Sequence, residues 1–345
     1  MSYKVTLRPS GATFDVAKGQ SVTTAAIEAG VPIAYSCRRG TCQTCVGRVV
    51  EGAIDEKAGY MPEDIVSRGM VLLCQATPLS DLVVEAQEAP WGAAPRTTKI
   101  MVFAMERAPS DVMILTMRLP IARPFEYRPG QYIELHMPDG GRRCYSIANP
   151  PVPGGTLDLT LHVRDVPGGR FTKHVFNGMR AREVLWFTGP LGAFTLRDMS
   201  DKPIIFLASG TGYGPIRSII LDAFARGETR PMTLYWGARG LADLYLIDEV
   251  EVLVRHHAGL RFVPVLSEPR SEDRWSGRTG LVHEAVMADL PDLSGYQVYA
   301  CGAPAMVSAA RDDFPRCGLS PDDFFADSFL TEADMVTHEV TSSVA

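Results

Sequence analysis

The sequence predicts a multidomain α+β protein: a β-grasp domain at 1–92, an antiparallel β-barrel at 97–200, and an α/β doubly wound domain at 201–330. Three observations predict it. Short alternating runs divided by turn residues fill the first half of the chain. A Pro-, Gly- and Ala-rich stretch, Glu88-Ala-Pro-Trp-Gly-Ala-Ala-Pro-Arg, reads as a linker between two such sets. From Pro203 onward, apolar strand-like runs alternate with helical ones.

The elements follow in order. Residues 3–8 and 12–16 alternate like two strands around a turn at Ser10-Gly11. Ser21 is placed to cap a helix from Val22 to Ala29, closed by Gly30 and Pro32. Val46–Val50 and Asp81–Glu85 complete a strand–strand–helix–loop–strand order. Past the linker, Ile100–Glu106, Val112–Leu119, Tyr132–Met137, Leu157–Arg164 and Glu183–Phe187 suggest the barrel, interrupted by one helix over 172–179. Ile204–Ala208 is a continuous apolar run of the kind a buried parallel strand shows. Met232–Gly237, Arg261–Leu266 and Gln297–Cys301 repeat it, with helices expected at 241–253, 281–289 and 304–314. Residues 331–345 read as a polar tail.

Composition is ordinary: 46% hydrophobic and 21% charged. No apolar run reaches the ~18 residues of a membrane span. The N-terminus lacks the pattern of a signal peptide, so a cytoplasmic monomer is expected. The net charge of −6 is uneven. Residues 1–92 carry eight Lys/Arg against ten Asp/Glu, residues 93–200 fourteen against nine, and residues 201–345 twelve against twenty-one. The positive middle suits an anionic cofactor. No basic run interleaved with aromatics points to nucleic acid.

Four of the seven cysteines stand in one pattern. Cys37, Cys42 and Cys45 follow C-x4-C-x2-C, and Cys74 comes later in Leu-Leu-Cys-Gln. This is the plant-type [2Fe–2S] spacing, in which one tight loop supplies three thiolates and a neighbouring segment the fourth. Gly40 is expected to let the loop approach inorganic sulfur. Zinc sites favour paired C-x2-C or Cys/His sets; here the single C-x2-C has no second, and residues 1–90 hold no His.

Further motifs carry chemistry. Arg143-Cys144-Tyr145-Ser146 offers a guanidinium for a diphosphate, a ring to stack on a flavin and a hydroxyl for its reactive edge. Strand alternation puts Arg143 and Tyr145 on one face. His162-Val163-Arg164 lies on the next strand; taken singly, His162 is as well explained as a packed histidine. Gly168-Gly169-Arg170-Phe171-Thr172 opens the barrel helix, a ready anion site. Gly210-Thr211-Gly212-Tyr213-Gly214-Pro215 follows the apolar strand and suits a dinucleotide diphosphate. It departs from G-x-G-x-x-G, and the next strand ends in Gly237-Ala238-Arg239 with no acidic residue. Tyr299-Ala300-Cys301-Gly302-Ala303-Pro304 ends another strand before a helix. Buried structural thiols remain the plain reading of Cys301 and Cys317.

Together these segments resemble the ferredoxin–NADP reductase superfamily, in the class with an N-terminal plant-type ferredoxin. Reductase components of bacterial multicomponent oxygenases, such as terephthalate dioxygenase, belong to it. The resemblance implies that Cys37, Cys42, Cys45 and Cys74 bind the cluster. It implies that Arg143, Tyr145 and Ser146 hold FAD, with Ser146 near the flavin N5. His162, Val163 and Arg164 would flank the ribityl and phosphate portion, and the backbone of Gly169, Arg170, Phe171 and Thr172 the diphosphate. Gly210, Thr211, Gly212 and Pro215 would form the nicotinamide nucleotide loop, with Gly302 and Pro304 at the neighbouring strand end. Cys301 would lie beside the nicotinamide and Phe329 near the flavin. Arg239 would meet a 2′-phosphate or pair with Asp243. Two departures stand out: Gln43 replaces a glycine common among relatives, and the chain continues past Phe329 to Ala345.

The expected activity is that of an NAD(P)H-dependent iron–sulfur flavoprotein oxidoreductase, with electrons passing from NADH (or NADPH) to FAD, to [2Fe–2S], and to a terminal oxygenase or intermediary ferredoxin docked near Arg38 and Arg39. The competing readings are a reductase of CDP-deoxysugar biosynthesis, and a non-enzymatic or zinc-binding module.

Overall fold

Paired strands organise the molecule into three main sheets. The computed structural model describes residues 1–55, 61–89 and 94–330, which form two compact units, Met1–Pro95 and Arg96–Phe329. Linker residues 90–93 and the tail 331–345 lie outside the described residues.

In the first unit the sheet order is Thr13–Ala17, Ser2–Arg8, Leu82–Ala86, Val46–Glu51, Val71–Leu72. Ser2–Arg8 runs parallel to Leu82–Ala86, with Val5 opposite Leu82. The helix Val22–Glu28 lies between them in the chain and buries Val22, Thr23, Ala25 and Ala26, which is the β-grasp arrangement. Ser21 caps it by accepting the Thr24 N–H, and Gly30 follows in the left-handed region at φ +69°. Two backbone bonds tie the start of this helix to the segment around Cys74: Val22 N–H to the Ala76 carbonyl (3.0 Å) and Thr23 N–H to that of Leu73 (3.1 Å). The sequence reading did not foresee the helix Glu63–Ser67 or the two-residue strands Ile54–Asp55, Val71–Leu72 and Thr77–Pro78.

The second unit begins with an antiparallel sheet in the order Arg142–Ser146, Tyr132–His136, Val184–Leu191, Arg96–Arg107, Val112–Arg118, Asp158–Arg164. A bridge between Ile147 and Leu161 joins its two ends and closes the barrel. Alternate residues fill the interior: Leu115 and Met117, Ile133 and Leu135, Leu159, Leu161 and Val163. The helix Arg170–Asn177 plugs one end with Phe171 and Val175. It begins two residues before the expected position because Gly169 serves as its N-cap.

The remaining sheet is wholly parallel, in the order Arg278–Thr279, Leu260–Leu266, Met232–Ala238, Ile204–Ser209, Gln297–Gly302, Phe324–Ser328. The chain starts in the middle and winds first one way, then the other. Its switch point therefore lies between Ile204–Ser209 and Gln297–Gly302, where open α/β sheets bind ligands. The expected helix at 241–253 is instead a 3-10 turn, Leu241–Asp243, and a helix, Ile247–His256. Leu244 leaves helical space (φ −81°, ψ 56°) as Leu244 and Tyr245 enter the core. Phe324–Ser328 is a strand that the sequence reading missed.

The helix Tyr213–Ala225 grips the barrel's exit. Arg217 makes a two-pronged pair with Glu249 (2.6 and 2.9 Å) and donates to the Ala148 carbonyl (2.9 Å). Ser218 donates to the Asn149 carbonyl (2.6 Å). Ser146, three residues from Asn149, is thereby held close to a fixed point.

Candidate functional site

In the first unit the loop after Ser36 winds through three left-handed residues: Arg38 (φ +56°), Gly40 (φ +87°) and Gln43 (φ +57°). Their turns direct N–H groups at sulfur. Arg39 and Cys42 donate to Cys37 Sγ (3.4 and 3.3 Å), and Cys37 N–H donates to Cys42 Sγ (3.4 Å). The Thr41 hydroxyl also reaches Cys37 Sγ (3.4 Å). Gln75 Nε2 donates to Cys74 Sγ (3.6 Å). A Cβ at Gly40 would meet protein atoms no closer than 3.5 Å, so its positive φ, not crowding by the protein, calls for glycine. Gln43 adopts a conformation that costs a non-glycine residue roughly 1 kcal/mol, which is the physical meaning of that departure.

The four thiols act on one another. The Cys42 thiol, with help from Thr41 and the loop amides, holds Cys37 down at about 5. Cys45 and Cys74 face one another: Cys74 is lowered by its bond with Cys45, and Cys45 is raised by the same bond and by burial. The Leu73 N–H bonds the Cys45 carbonyl (3.0 Å) and keeps the two segments in register. Among the described residues no three Cys, His, Asp or Glu side chains converge on a single ion. Four thiols gathered from one loop and one neighbouring segment fit a [2Fe–2S] cluster.

In the barrel, strand alternation holds: Arg143 and Tyr145 are half-buried, Arg142 and Cys144 exposed. Ser146 ends the strand. The Tyr145 ring lies 5.4 Å from that of Phe171, and burial raises its phenol. Arg170 pairs with Asp139 (2.6 Å), whose carboxyl is held down by the Gly141 amide, then by Arg170 and Arg143. Two arginines thus stand near the start of the helix Arg170–Asn177, whose first N–H groups have no partner within the helix. Thr172 turns its hydroxyl back on the carbonyls of Gly169 and Val166 (3.1 and 3.3 Å), so only its backbone faces outward. A Cβ at Gly169 would stand 2.6 Å from that hydroxyl oxygen. This donor set fits a flavin diphosphate.

Val163 is buried in the barrel core, leaving only its backbone for a ligand. His162 and Arg164 turn to the α/β layer. Arg164 pairs with Asp111 (3.1 Å) and Asp243 (3.5 Å) and passes under Gly210. Asp243 is therefore not the partner of Arg239, contrary to one of the two expectations. Arg239 is exposed at the end of Met232–Ala238.

At the switch point, the strand ends touch through backbone. A Cβ on Gly212 would lie 2.1 Å from the Cys301 carbonyl oxygen; one on Gly302 (φ +135°) would lie 2.3 Å from Ser209 Oγ. Ser209 Oγ accepts the Ala303 N–H (2.8 Å), just before Pro304 starts a helix. Gly210, Thr211 and Gly212 form a 3-10 turn running into the helix that contains Pro215. Cys301 is fully buried, its thiol raised by burial and by Asp327 opposite it. Phe329 N–H bonds the Gly302 carbonyl (2.9 Å). Ser328, also opposite Gly302, has a buried hydroxyl with no protein partner. A floor where backbone meets backbone at Gly212 and Gly302, with a buried hydroxyl beside it, fits a nicotinamide nucleotide. Asp327, Ser328 and Tyr245 were not singled out from sequence; the run Phe-Phe-Ala-Asp-Ser could have been read as a strand.

Comparison with known proteins matches a domain family to each of the three main sheets. Residues 5–79 match the family of 2Fe-2S iron-sulfur cluster binding domains, 99–196 the oxidoreductase FAD-binding domain and 206–312 the oxidoreductase NAD-binding domain. The chain is 36% identical over 333 residues to the CDP-6-deoxy-L-threo-D-glycero-4-hexulose-3-dehydrase reductase of Yersinia pseudotuberculosis, covering 96% of this chain and 99% of that one. It belongs to the ferredoxin–NADP reductase superfamily. The reductase is also 36% identical to the phenol hydroxylase P5 protein of Acinetobacter pittii, over 97% of this chain and 96% of that one. The crystal structure of the Amycolatopsis cytochrome P450 reductase superposes with a TM-score of 0.77 at 34% identity, covering 95% and 98% of the two chains. The chain is an NAD(P)H-dependent iron–sulfur flavoprotein oxidoreductase. No helix among the described residues of the reductase is long and apolar enough to cross a membrane.

One titration follows from the reductase's interior. Burial, aided by Arg217, lowers His162 from 6.5 to about 3. The unfolded chain takes up a proton below pH 6.5 that the folded chain refuses until about pH 3. The stability from this group is complete above pH 6.5 and is lost as pH falls toward 3. Between pH 6.5 and 5 the loss is roughly 2 kcal/mol. Urea unfolding at the two pH values measures it. His162→Asn should lose this share of the pH dependence; a variant keeping the parental dependence would count against the assignment.

Proposed function

We propose that this reductase passes electrons from NADH through FAD and a [2Fe–2S] cluster to a terminal oxygenase, directly or through an intermediary ferredoxin. The observation that carries the reading is the gathering of Cys37, Cys42, Cys45 and Cys74 by one loop and the segment bonded to it, in a chain that resembles a phenol hydroxylase protein over 97% of its length. Bound FAD supplies acceptance of hydride as an electron pair, and the cluster supplies one-electron carriage.

The chain's residues do the rest. The four thiolates hold iron, and the amides of Arg39, Gly40 and Cys42 soften their charge. Arg143, Arg170 and the N–H groups of Gly169–Thr172 would hold the flavin diphosphate, Tyr145 would offer its ring to the flavin and Ser146 its hydroxyl. The backbone at Gly210–Gly212 and Gly302 receives the nicotinamide nucleotide, and Pro215 and Pro304 set the two helices beside it. Burial keeps Cys301 a protonated thiol, so it shapes the nicotinamide pocket and does not act as a nucleophile. Phe329 screens the flavin from water. NADH is the donor; NADPH use would require Arg239 to turn to a 2′-phosphate. A monomer in the reducing cytoplasm suits the thiols, and exposed Arg39 with half-buried Arg38 marks the face for the acceptor. The equal identity to a CDP-sugar dehydrase reductase favours a second reading, in which the same path ends on a sugar dehydrase.

Anaerobic NADH should bleach the flavin band and then the cluster band. Ser146→Ala should slow the first phase by about 10- to 100-fold and leave the cluster spectrum intact. An unchanged first phase removes Ser146 from the mechanism. Turnover coupled to an aromatic-ring or phenol oxygenase, against turnover coupled to a sugar dehydrase, separates the two acceptors.

A further inference from the structure

A buried column of four rings runs from the barrel to the glycine loop. His162, on the barrel strand Asp158–Arg164, bonds through Nδ1 to the Tyr245 hydroxyl (2.8 Å). The Tyr245 ring meets Trp236 edge-on at 5.4 Å, and Trp236 stacks on Tyr213 at 4.3 Å. The Trp236 indole N–H donates to the Gly210 carbonyl (3.1 Å), at the first residue of the loop. Trp236 and Tyr213 are wholly buried; Tyr245 and His162 are 4% and 8% exposed. Burial keeps His162 neutral and the Tyr245 phenol protonated, so the bond joins two uncharged groups, and the tautomer of His162 decides which of them donates. A second rail runs alongside, from Arg164 under Gly210 to Asp243, two residues before Tyr245.

We propose that Tyr245 is a positioning residue for hydride transfer: gripping His162 on one side and Trp236 on the other, it sets the height of the glycine loop over the barrel strand beside which the flavin lies. The proposal rests on the NADH-to-flavin reading given above. Hydride transfer is sensitive to placement at the scale of an ångström, and a misplacement of that size far from the chemistry can cost about 100-fold. Tyr245 touches none of the reacting atoms in this account. Losing its hydroxyl would leave a buried imidazole nitrogen without its hydrogen-bond partner, and the column would relax to rehydrate or repack it.

The test uses the full holo-chain, mixed anaerobically with NADH. In Tyr245→Phe the limiting rate of flavin bleaching should fall about tenfold. Flavin content and the later flavin-to-cluster phase should stay at parental values, and the apparent NADH affinity within about twofold. Trp236→Phe, which keeps a ring but removes the N–H to Gly210, should slow the same phase. In the flavin-stripped chain, amide exchange over Gly210–Tyr213 should speed up about tenfold in either variant. A parental bleaching rate in both variants overturns the proposal, whatever happens to melting temperature. If NADH fails to bleach the parental flavin, the functional reading falls, and the proposal with it.

Discussion

A Cys74→Ser chain is expected to bind flavin and oxidise NADH with ferricyanide at the parental rate, while one-electron delivery to cytochrome c falls by on the order of 100-fold or more. Cys74 is the one thiol of the four outside the loop, and it faces Cys45. A serine oxygen is a harder, more basic donor than a thiolate and holds cluster iron poorly. The substitution is nearly isosteric. The turn that carries it stays pinned by the Leu73 N–H to the Cys45 carbonyl and by the two bonds from the helix Val22–Glu28. The loss should therefore appear in the cluster's visible absorption and in the paramagnetic signal of the reduced chain, not in the fold. Cys317, half-buried at the end of a 3-10 turn, is the control, and its serine variant should behave as the parent. A Cys74→Ser chain with full cluster absorption and parental cytochrome c reduction would sink the ligand assignment.

Gly212→Ala should be nearly as damaging, at the other end of the electron path. The new Cβ would sit 2.1 Å from the Cys301 carbonyl oxygen, 2.5 Å from its carbon and 2.7 Å from the Gly302 Cα. All three are backbone atoms of a buried central strand, so none can swing aside. Overpacking of this kind costs about 1–3 kcal/mol, which raises the KM for NADH about 10- to 100-fold when it is taken from the binding surface. Flavin and cluster spectra should be unaffected. Gly210→Ala makes the contrast: its Cβ would meet the flexible end of Arg164 at 3.0 Å, in a left-handed conformation at φ +52°. It should be the milder of the two. Equal KM values for the Gly212→Ala chain and the parent would show that the floor is not the nucleotide's seat.

Much of this was legible in the sequence, for local reasons. The spacing of Cys37, Cys42 and Cys45 is a property of one loop, and the cap at Ser21 is a property of four residues. Runs such as Val112–Arg118 and Ile204–Ser209 are long enough for their period, or its absence, to be read. Ile54–Asp55 and Thr77–Pro78 are too short to have a period. The break at Leu244 is tertiary: helical spacing runs through it, but burial of Leu244 and Tyr245 pulls the chain out of the helix. Long-range partners were the least legible. Asp243 stands four residues from Arg239, yet it pairs with Arg164, 79 positions away. Tyr245 carries no local signal; its partner His162 is 83 positions away. The bond from the Leu73 N–H to the Cys45 carbonyl, which brings Cys74 to the loop, is likewise a fact of folding, not of spacing.

The close backbone approach at Gly212 and Gly302 also bears on how this enzyme could be retargeted. Gly212 and Gly302 offer no handle for altering which dinucleotide is preferred, if the nucleotide sits there, because a Cβ at either intrudes on the backbone or side chain of a neighbouring strand. Redesign of coenzyme choice is thereby pushed outward, to the solvent-facing rim where Arg239 ends its strand.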